Sequence, residues 1–293
     1  MFIATLIAPG TLAGGDISAA CDRLRAAGCA PGESQWIDDG HAADIRFDAA
    51  PEAARTALEG VFAATDIVVQ PASVRGKKLL IADMDSTMIT VECIDELADY
   101  AGIKPQIAEI TERAMRGELE FEAALDARVA LLAGLDEAVI ERCLQERVVI
   151  MPGAAALVRT MKARGALTVL VSGGFTRFAD PVAATIGFDR AIANRLLVER
   201  GALTGTVAKP IVGSATKLET LLAARAERGL AERETLAVGD GANDLAMIER
   251  AGLGVAYHAK PIVAAAAAAR VDYGDLTALL YAQGIARAEW VTE

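Results

Sequence analysis

Two carboxylates, separated by one residue, follow the short apolar run Leu79–Ala82 in the first third of the chain. An apolar run of this length predicts a buried strand. In an open α/β sheet the chemistry lies just beyond the carboxyl ends of the strands, which is where Asp83 and Asp85 would stand. An isolated Asp-x-Asp is also typical of a turn or a helix cap, so the pair alone does not define a site.

Two more predicted strands end in polar segments that contain glycine. The run Leu167–Val171 leads into Ser172-Gly173-Gly174, and the run Thr235–Val238 leads into Gly239-Asp240-Gly241-Ala242-Asn243-Asp244. Between them, residues Ala191 to Val207 have the pattern of a hairpin. Strands that alternate with helical segments predict a parallel, doubly wound sheet. The three polar ends should then meet at one edge of that sheet.

The segment from Val91 to about Met151 has helical periodicity throughout, with breaks at Gly102, Gly117 and Gly134. It predicts an all-helical insertion above the carboxylates. One of its helices carries an apolar stripe, formed by Phe121, Leu125, Val129 and Leu132. Arg128 falls on this stripe, so it either reaches solvent at the edge of the stripe or binds a ligand. Glu92 is most simply a first-turn acid that the helix dipole favours.

The first 70 or so residues have the pattern of a separate small unit. Strand patterns at Phe2–Ile7, Ala43–Phe47 and Ile67–Val69 alternate with helical patterns at Asp16–Ala27 and Pro51–Ala64. The order β-α-β-β-α-β predicts a ferredoxin-like fold. No cluster of catalytic residue types occurs there. A regulatory or assembly module and a simple packing appendage both fit this unit.

Composition excludes several classes of protein. A hydrophobic fraction of 53% predicts a folded chain, and the formal net charge of −11 argues against nucleic acid or an anionic membrane as a partner. No apolar run approaches the length of a membrane span, and no basic region opens the chain, so neither a membrane anchor nor a signal peptide is expected. The four cysteines form no C-x-x-C pair, which indicates a reduced, cytoplasmic protein.

The residue types at the predicted sheet edge suit phosphoryl transfer. Close carboxylates resist joint ionisation, so a divalent cation is expected beside them, and ligands that are all oxygen favour Mg²⁺. Ser172, with the N–H groups that follow it at a predicted helix start, would form a cradle for an anion. Lys217 is most simply an exposed cation. Asp244 stands where the third glycine of a dinucleotide-binding fingerprint would be, which excludes that motif.

Four segments resemble the four motifs of the haloacid dehalogenase superfamily. They are Asp83-Met84-Asp85-Ser86-Thr87, Val171-Ser172-Gly173-Gly174-Phe175, Lys217 and Gly239-Asp240-Gly241-Ala242-Asn243-Asp244. Further residues resemble the phosphoserine phosphatases of that superfamily, namely Glu92, Phe121-Glu122, Arg128-Val129 and Ala259-Lys260-Pro261. The likeness extends over about residues 77 to 290. The N-terminal unit resembles amino-acid-binding regulatory domains (ACT-like) in its order of elements and its length.

The resemblance implies roles for the residues at the sheet edge. Asp83 is expected to attack phosphorus, and Asp85 to act as the acid and then the base. Mg²⁺ is expected at Asp83, the backbone carbonyl of Asp85, and Asp240. The phosphoryl group is expected to contact Ser172, Gly173, Lys217 and Asn243. Asp244 and Thr87 are expected to support these groups from behind.

The resemblance also implies a substrate and a division of the chain. Glu92 is expected to receive the substrate ammonium and Arg128 its carboxylate. The implied activity is the Mg²⁺-dependent hydrolysis of O-phospho-L-serine, the last step of serine biosynthesis, by a phosphatase domain at 73–293 with a cap at about 90–151. An ACT-like regulatory domain at 1–72, an amino-acid effector bound to it, and a homodimer are further expectations. A phosphotransferase acting on an alcohol such as homoserine and a catalytically silent amino-acid sensor are the alternatives.

Overall fold

The computed structural model describes residues 1–115 and 118–292, without the side chain of Met115. The strands are β1 (Phe2–Ile7), β2 (Pro31–Asp38), β3 (Ala42–Phe47), β4 (Asp66–Pro71), β5 (Leu79–Ala82), β6 (Leu167–Phe175), β7 (Arg190–Asn194), β8 (Leu196–Glu199), β9 (Ala202–Val207), β10 (Thr235–Gly239), β11 (Leu253–Tyr257) and β12 (Ala269–Val271). Among the described residues, no helix has both the length and the apolar character needed to cross a membrane.

The α-helices alternate with these strands over most of the chain. They are α1 (Gly14–Ala26), α2 (Pro51–Leu58), α3 (Cys93–Tyr100), α4 (Lys104–Met115), α5 (Phe121–Ala130), α6 (Ala138–Glu146), α7 (Ala154–Ala163), α8 (Thr176–Ile186), α9 (Ser214–Glu227), α10 (Leu245–Arg250), α11 (Pro261–Ala266) and α12 (Ala278–Ala282). The helix break predicted at Gly117 lies outside the described residues.

Strands β5, β6, β7, β10, β11 and β12 form one six-stranded sheet in the order β12-β11-β10-β5-β6-β7. Every strand pair in this sheet is parallel. Strand β5 is central and fully buried, as its apolar sequence predicts. The predicted α/β fold class is therefore confirmed, and the chain order reverses at β5, where ligands bind in doubly wound sheets.

Part of the predicted hairpin at residues 191–207 belongs instead to the main sheet. The prediction was wrong for residues 191–194, because they belong to β7, which pairs in parallel with β6 and forms an edge of that sheet. Only β8 and β9 form the antiparallel hairpin. A half-buried edge strand and a hairpin strand have similar sequence patterns, so periodicity does not distinguish them.

Four helices, α3 to α6, form a helical cap between β5 and α7. At its base, the two connections to the core pair with each other through Ile89 and Ile150. At its far side, the cap is bonded to the β8–β9 hairpin, where Gly134 N donates to Leu203 O at 2.8 Å and Glu137 N donates to Gly201 O at 2.9 Å. The core therefore holds the cap at two separate places.

The first four strands form a second sheet in the order β2-β3-β1-β4, with antiparallel pairs. This sheet has the order of elements that the sequence predicts. Nothing in the sequence pattern locates β2, because five consecutive residues of this strand, 32–36, are exposed and the alternation of a half-buried strand is missing. One face of the sheet packs on α1 and α2, and β1 also contacts α12 from the end of the chain.

Arg75 connects the N-terminal sheet to the C-terminal segment. Its guanidinium pairs with Asp44, which is almost fully buried, and donates to Thr5 Oγ1 at 3.0 Å. It also donates to Ala282 O at 2.9 Å and to Tyr281 O at 2.9 Å. One side chain thus satisfies a buried carboxylate on one sheet and two carbonyls at the end of α12.

We expect Arg75→Ala to lower the free energy of unfolding by about 3–5 kcal/mol, because it leaves Asp44 buried without its cation. Arg25→Ala is the matched control, since it removes an ion pair with Asp22 in which both side chains are mostly exposed. That control should cost less than about 1 kcal/mol. Urea unfolding of the three proteins measures both values, and equal losses would contradict the structural role given to Arg75.

Candidate active site

The carboxyl ends of β5 and β10 bring Asp83 and Asp240 together. Asp83 is the first residue after β5, Asp240 is the first after β10, and the two strands are neighbours in the sheet. Thr87 Oγ1 donates to Asp240 Oδ1 at 3.0 Å, so the turn after β5 is tied to the turn after β10. Both carboxylates are almost fully buried. The predicted meeting of these strand ends is what the structure shows.

Lys217 lies between two carboxylates beneath this edge of the sheet. Its Nζ is 2.6 Å from Asp83 Oδ1 and 2.6 Å from Asp244 Oδ1. Asp244 Oδ2 accepts the N–H of Gly241 at 3.0 Å, which fixes the turn after β10. The simplest interpretation of Lys217 from sequence, an exposed cation, is wrong, because this side chain is 0% exposed.

Negative charge exceeds positive charge in this buried cluster. Burial and the Asp244 charge raise the pKa of Asp83 well above its ordinary value, against the opposing effect of Lys217. Burial and Asp244 likewise raise the pKa of Asp240 to about 6. Burial by itself would lower the pKa of Lys217, but Asp244 and Asp83 outweigh it and raise that pKa. The lysine stays charged, and the carboxylates need a further cation to ionise fully.

The same carboxylates could hold that cation. Side-chain oxygens of Asp83, Asp240 and Asp244 lie within 4.8 Å of one another. Because both Asp244 oxygens already accept hydrogen bonds, Asp83 and Asp240 are the better ligands. A donor set made only of oxygen, with an excess of negative charge, fits a hard divalent cation.

Asp85 is separate from this cluster and faces the cap. Its Oδ1 accepts the N–H of Cys93, the first residue of α3, at 3.2 Å. Burial, reinforced by the charge of Glu92, raises the pKa of Asp85 to about 7. A carboxyl group that titrates near neutral pH is suited to both donating and accepting a proton.

The segment Ser172-Gly173-Gly174 lies inside β6, where the strand bulges. The pair Val171–Ile192 is followed by the pair Phe175–Asn194, so β6 has two residues more than β7 across this interval. Helix α8 begins only at Thr176, and Gly174 N donates to Ser172 Oγ at 2.8 Å. The helix start predicted at Ser172 was therefore wrong, because the strand continues to Phe175. A bulge next to a site re-aims the backbone, and Gly173 lines the cavity described next.

A cavity of about 690 Å³ lies between the sheet edge and the cap. The core contributes Asp83, Asp85, Gly173, Asp240 and Asn243 to its walls, and the cap side contributes Glu92 and Arg128. Ser172 and Lys217 are fully buried behind this wall. The structure thus brings the residues that the sequence predicts into one place.

The two cap-side groups carry opposite charges. Glu92 Oε1 accepts the hydroxyl of Ser86 at 2.7 Å, so the turn after β5 orients it. Arg128 is half-buried, and its Nε donates to Ala124 O at 3.3 Å. Burial lowers the pKa of Arg128, although Asp95 and then Glu92 oppose this effect. Arg128 thus lines the cavity while it is bonded to its own helix.

Sequence reasoning assigned no role to several other residues in the cavity wall. Asp95 stands one helical turn after Glu92, a spacing that places both on one face and could have revealed it. Lys260 also lines the cavity, and its charge opposes the rise in the pKa of Asp240. Thr111 and Ser214 complete the polar wall, and no motif marks them.

Phosphoryl transfer through a carboxylate requires three groups. They are a buried carboxylate paired with a lysine (Asp83), a cation-binding carboxylate beside it (Asp240) and an acid with a pKa of about 7 (Asp85). The fold and the site define a doubly wound α/β enzyme with buried carboxylates at the edge of its sheet. A family model of the haloacid dehalogenase-like hydrolases matches residues 80–249. The chain belongs to this family.

Curated relatives extend the comparison. The chain is 46% identical to a phosphoserine phosphatase of Streptomyces coelicolor over 81% of its own length. It is 46% identical to one of Haemophilus influenzae over 69%, and 48% identical to one of Albidiferax ferrireducens over 69%. The matches cover 59%, 64% and 88% of those relatives, so the chain spans less than two thirds of the first two.

Solved structures resemble almost the whole chain. A haloacid dehalogenase family hydrolase from Salmonella enterica serovar Typhi has a TM-score of 0.82 and 30% identity, with 96% of this chain and 98% of that one covered. A probable phosphoserine phosphatase from Vibrio cholerae has a TM-score of 0.75 and 34% identity, with 96% and 88% covered. The likeness therefore includes the N-terminal sheet.

We expect Lys217→Met to lower the free energy of unfolding of the metal-free protein by about 3–5 kcal/mol at neutral pH, because Asp83 and Asp244 lose their shared cation. Lys209→Met is the matched control, since Lys209 pairs with Asp126 at 2.7 Å on the surface. The control should cost less than about 1 kcal/mol. Chemical denaturation in the presence of a chelator measures the free energy of unfolding of both variants. Similar losses would show that the buried Asp83–Lys217–Asp244 ion pairs contribute no more than a surface ion pair.

Proposed function

We propose that the protein is a Mg²⁺-dependent phosphatase that hydrolyses O-phospho-L-serine to L-serine and phosphate. The observation that carries the proposal is the presence of Glu92 and Arg128 in the same cavity wall as Asp83 and Asp85. A free amino acid has one ammonium and one carboxylate, and these two side chains offer the complementary charges. The names of the curated relatives support the same substrate.

The first step transfers the phosphoryl group to the protein. An oxygen of Asp83 attacks phosphorus, the bond between phosphorus and the serine oxygen breaks, and Asp85 donates its proton to that oxygen. Lys217 orients Asp83 through its 2.6 Å contact and favours its ionised form against the effect of burial. Serine leaves as the neutral alcohol, and Asp83 carries an acyl phosphate.

The second step releases phosphate. Asp85, now ionised, removes a proton from a water molecule that attacks the phosphorus of the acyl phosphate, and Asp83 is regenerated. One group with a pKa of about 7 serves both steps, because it is protonated and deprotonated with nearly equal ease at neutral pH. Gly173 and Asn243, in the cavity wall, would bind the equatorial oxygens.

Mg²⁺ held by Asp83, Asp240 and the backbone carbonyl of Asp85 would supply the positive charge that offsets the phosphoryl oxygens. This assignment is supported by the three close carboxylates and by the raised pKa values of Asp83 and Asp240. Thr87 fixes the orientation of Asp240 through its hydroxyl. Both oxygens of Asp244 accept hydrogen bonds, one from Lys217 and one from the N–H of Gly241, so Asp244 supports the site through these two residues.

We also propose the division of the chain into an ACT-like regulatory domain at 1–72 and a phosphatase domain at 73–293, with its cap at about 90–151. The separate hydrophobic core of the N-terminal sheet supports this boundary. An amino-acid effector at the first domain, a homodimer and a cytoplasmic location complete the proposal.

We expect the purified protein to release phosphate from L-phosphoserine in MgCl₂, and EDTA to abolish the release. Asp83→Asn should reduce turnover by at least about 10⁴-fold, because removing a nucleophile removes the covalent route. A phosphate assay with and without an added alcohol separates hydrolysis from phosphotransfer. Release only when an alcohol is present, or full activity of Asp83→Asn, would refute the proposed function.

Arg128→Ala should raise KM for phosphoserine about 100-fold, since a charge-assisted, bidentate contact to the carboxylate is lost. KM for phosphoethanolamine, which has the ammonium but no carboxylate, should change little. Arg142→Ala is the matched control, because Arg142 stacks on Tyr100 in the same cap. Steady-state kinetics of both variants measure the KM values for the two substrates. Equal effects of Arg128→Ala on the two KM values would mean that Arg128 only supports the cap.

A further inference from the structure

The bulge in β6 removes ladder hydrogen bonds at the place where the phosphoryl group would bind. Between the pairs Val171–Ile192 and Phe175–Asn194, the backbone of β7 cannot bond all the residues of the longer β6 segment. A buried carbonyl in such a bulge needs another donor. The carbonyl of Gly173 receives it from a side chain, because Asn194 Nδ2 donates to Gly173 O at 2.8 Å.

The same amide holds a second loop. Asn194 Nδ2 donates to Val212 O at 3.1 Å, and Val212 N donates to Asn194 Oδ1 at 2.7 Å. The side chain is 2% exposed, so these bonds are shielded from water. Both the nitrogen and the oxygen of the amide therefore form hydrogen bonds, and these bonds fix the distance between the two loops.

The second loop leads directly into the helix of the buried lysine. Val212 is followed by Gly213, and α9 begins at Ser214, one turn before Lys217. A helix is rigid over one turn, so the position of Val212 sets the position of the Lys217 backbone. Asn194 thus connects the backbone that faces the phosphoryl group with the helix that carries its charge partner.

The cap packs against the two loops that Asn194 connects. The ring of Phe121, the first residue of α5, lies against both loops: a Cβ at Gly173 would be 3.0 Å from the ring, and a Cβ at Gly213 would be 3.1 Å from it. A side chain at either position would therefore make the ring shift by a few tenths of an ångström. The ring therefore closes the cavity beside the bulge only while the two loops keep this spacing.

We propose that Asn194 is a positioning residue for phosphoryl transfer. It fixes the distance between the Gly173 backbone and the Lys217 helix, and so sets the position of the Phe121 ring against both. The inference rests on the proposed function. Asn194 touches neither substrate nor metal, and it acts through the two loops. Positioning of this kind affects the chemical step, because misplacement by about 1 Å costs about 100-fold in rate.

The test compares Asn194→Asp and Asn194→Ser with a control at the other end of the same strand pair. Asn194→Asp keeps the shape but replaces the two donor hydrogens with an acceptor that faces two carbonyls. Asn194→Ser is the second variant, which introduces no charge. Thr168→Val is the control, because Thr168 bonds Asp189 between β6 and the start of β7, far from the cavity.

We expect both Asn194 variants to lower kcat for phosphoserine by about 10–100-fold and to raise KM by no more than about tenfold, because the contacts to the phosphoryl group weaken while Glu92 and Arg128 are untouched. The affinity for inorganic phosphate in MgCl₂, measured by calorimetry, should fall about tenfold in parallel. Thr168→Val should lower only the melting temperature.

Phosphate affinity keeps this test separate from the proposed function. If the wild-type protein does not hydrolyse phosphoserine, the proposed function fails, and the phosphate titration still decides the role of Asn194. Wild-type kcat and phosphate affinity in a folded Asn194 variant would overturn the inference. So would a variant that, like Thr168→Val, loses stability alone.

Discussion

The shared ammonium of Lys217 is the interaction on which the site depends. It is fully buried and lies 2.6 Å from each of two carboxylates that come from different strand ends. Without it, two buried anions would repel each other at the centre of the sheet edge. With it, the ionised form of Asp83 is favoured against the effect of burial, and Asp244 can hold the turn that presents Asp240. The remaining excess of negative charge is what makes this edge a place for a divalent cation.

The cap contributes the other half of the recognition. In the proposed function, the core provides the groups that bind the phosphoryl group, while Glu92 and Arg128 bind the two charges of the amino acid. The cap is held at its base by the Ile89–Ile150 pair and at its far side by the β8–β9 hairpin. Helix α5, which carries Arg128, is consequently fixed with respect to the core.

Much of this arrangement could be predicted from short segments of sequence. The apolar runs before Asp83 and Asp240 identify the central strands. They also identify the site, because ligands bind at the carboxyl ends of the strands in such a sheet. Long-range contacts could not be predicted in this way. The burial of Lys217 depends on two residues distant in sequence, and the bulge in β6 depends on its pairing with β7. The exposed strand β2 has no alternation to reveal it. Asn194 is the last residue of a short edge strand, where an asparagine is ordinary in sequence, and its three hydrogen bonds are what distinguish it.

The central claim is that Asp83 forms a covalent bond to phosphorus, and one measurement tests it directly. The protein is mixed with phosphoserine and MgCl₂, quenched in acid within milliseconds, digested, and analysed by mass spectrometry. The account predicts a transient phosphoryl group on the peptide that contains Asp83, formed as serine is released and lost as free phosphate appears. Release of serine with no phosphoryl group on that peptide at any time point, or with the group on another residue, would contradict it.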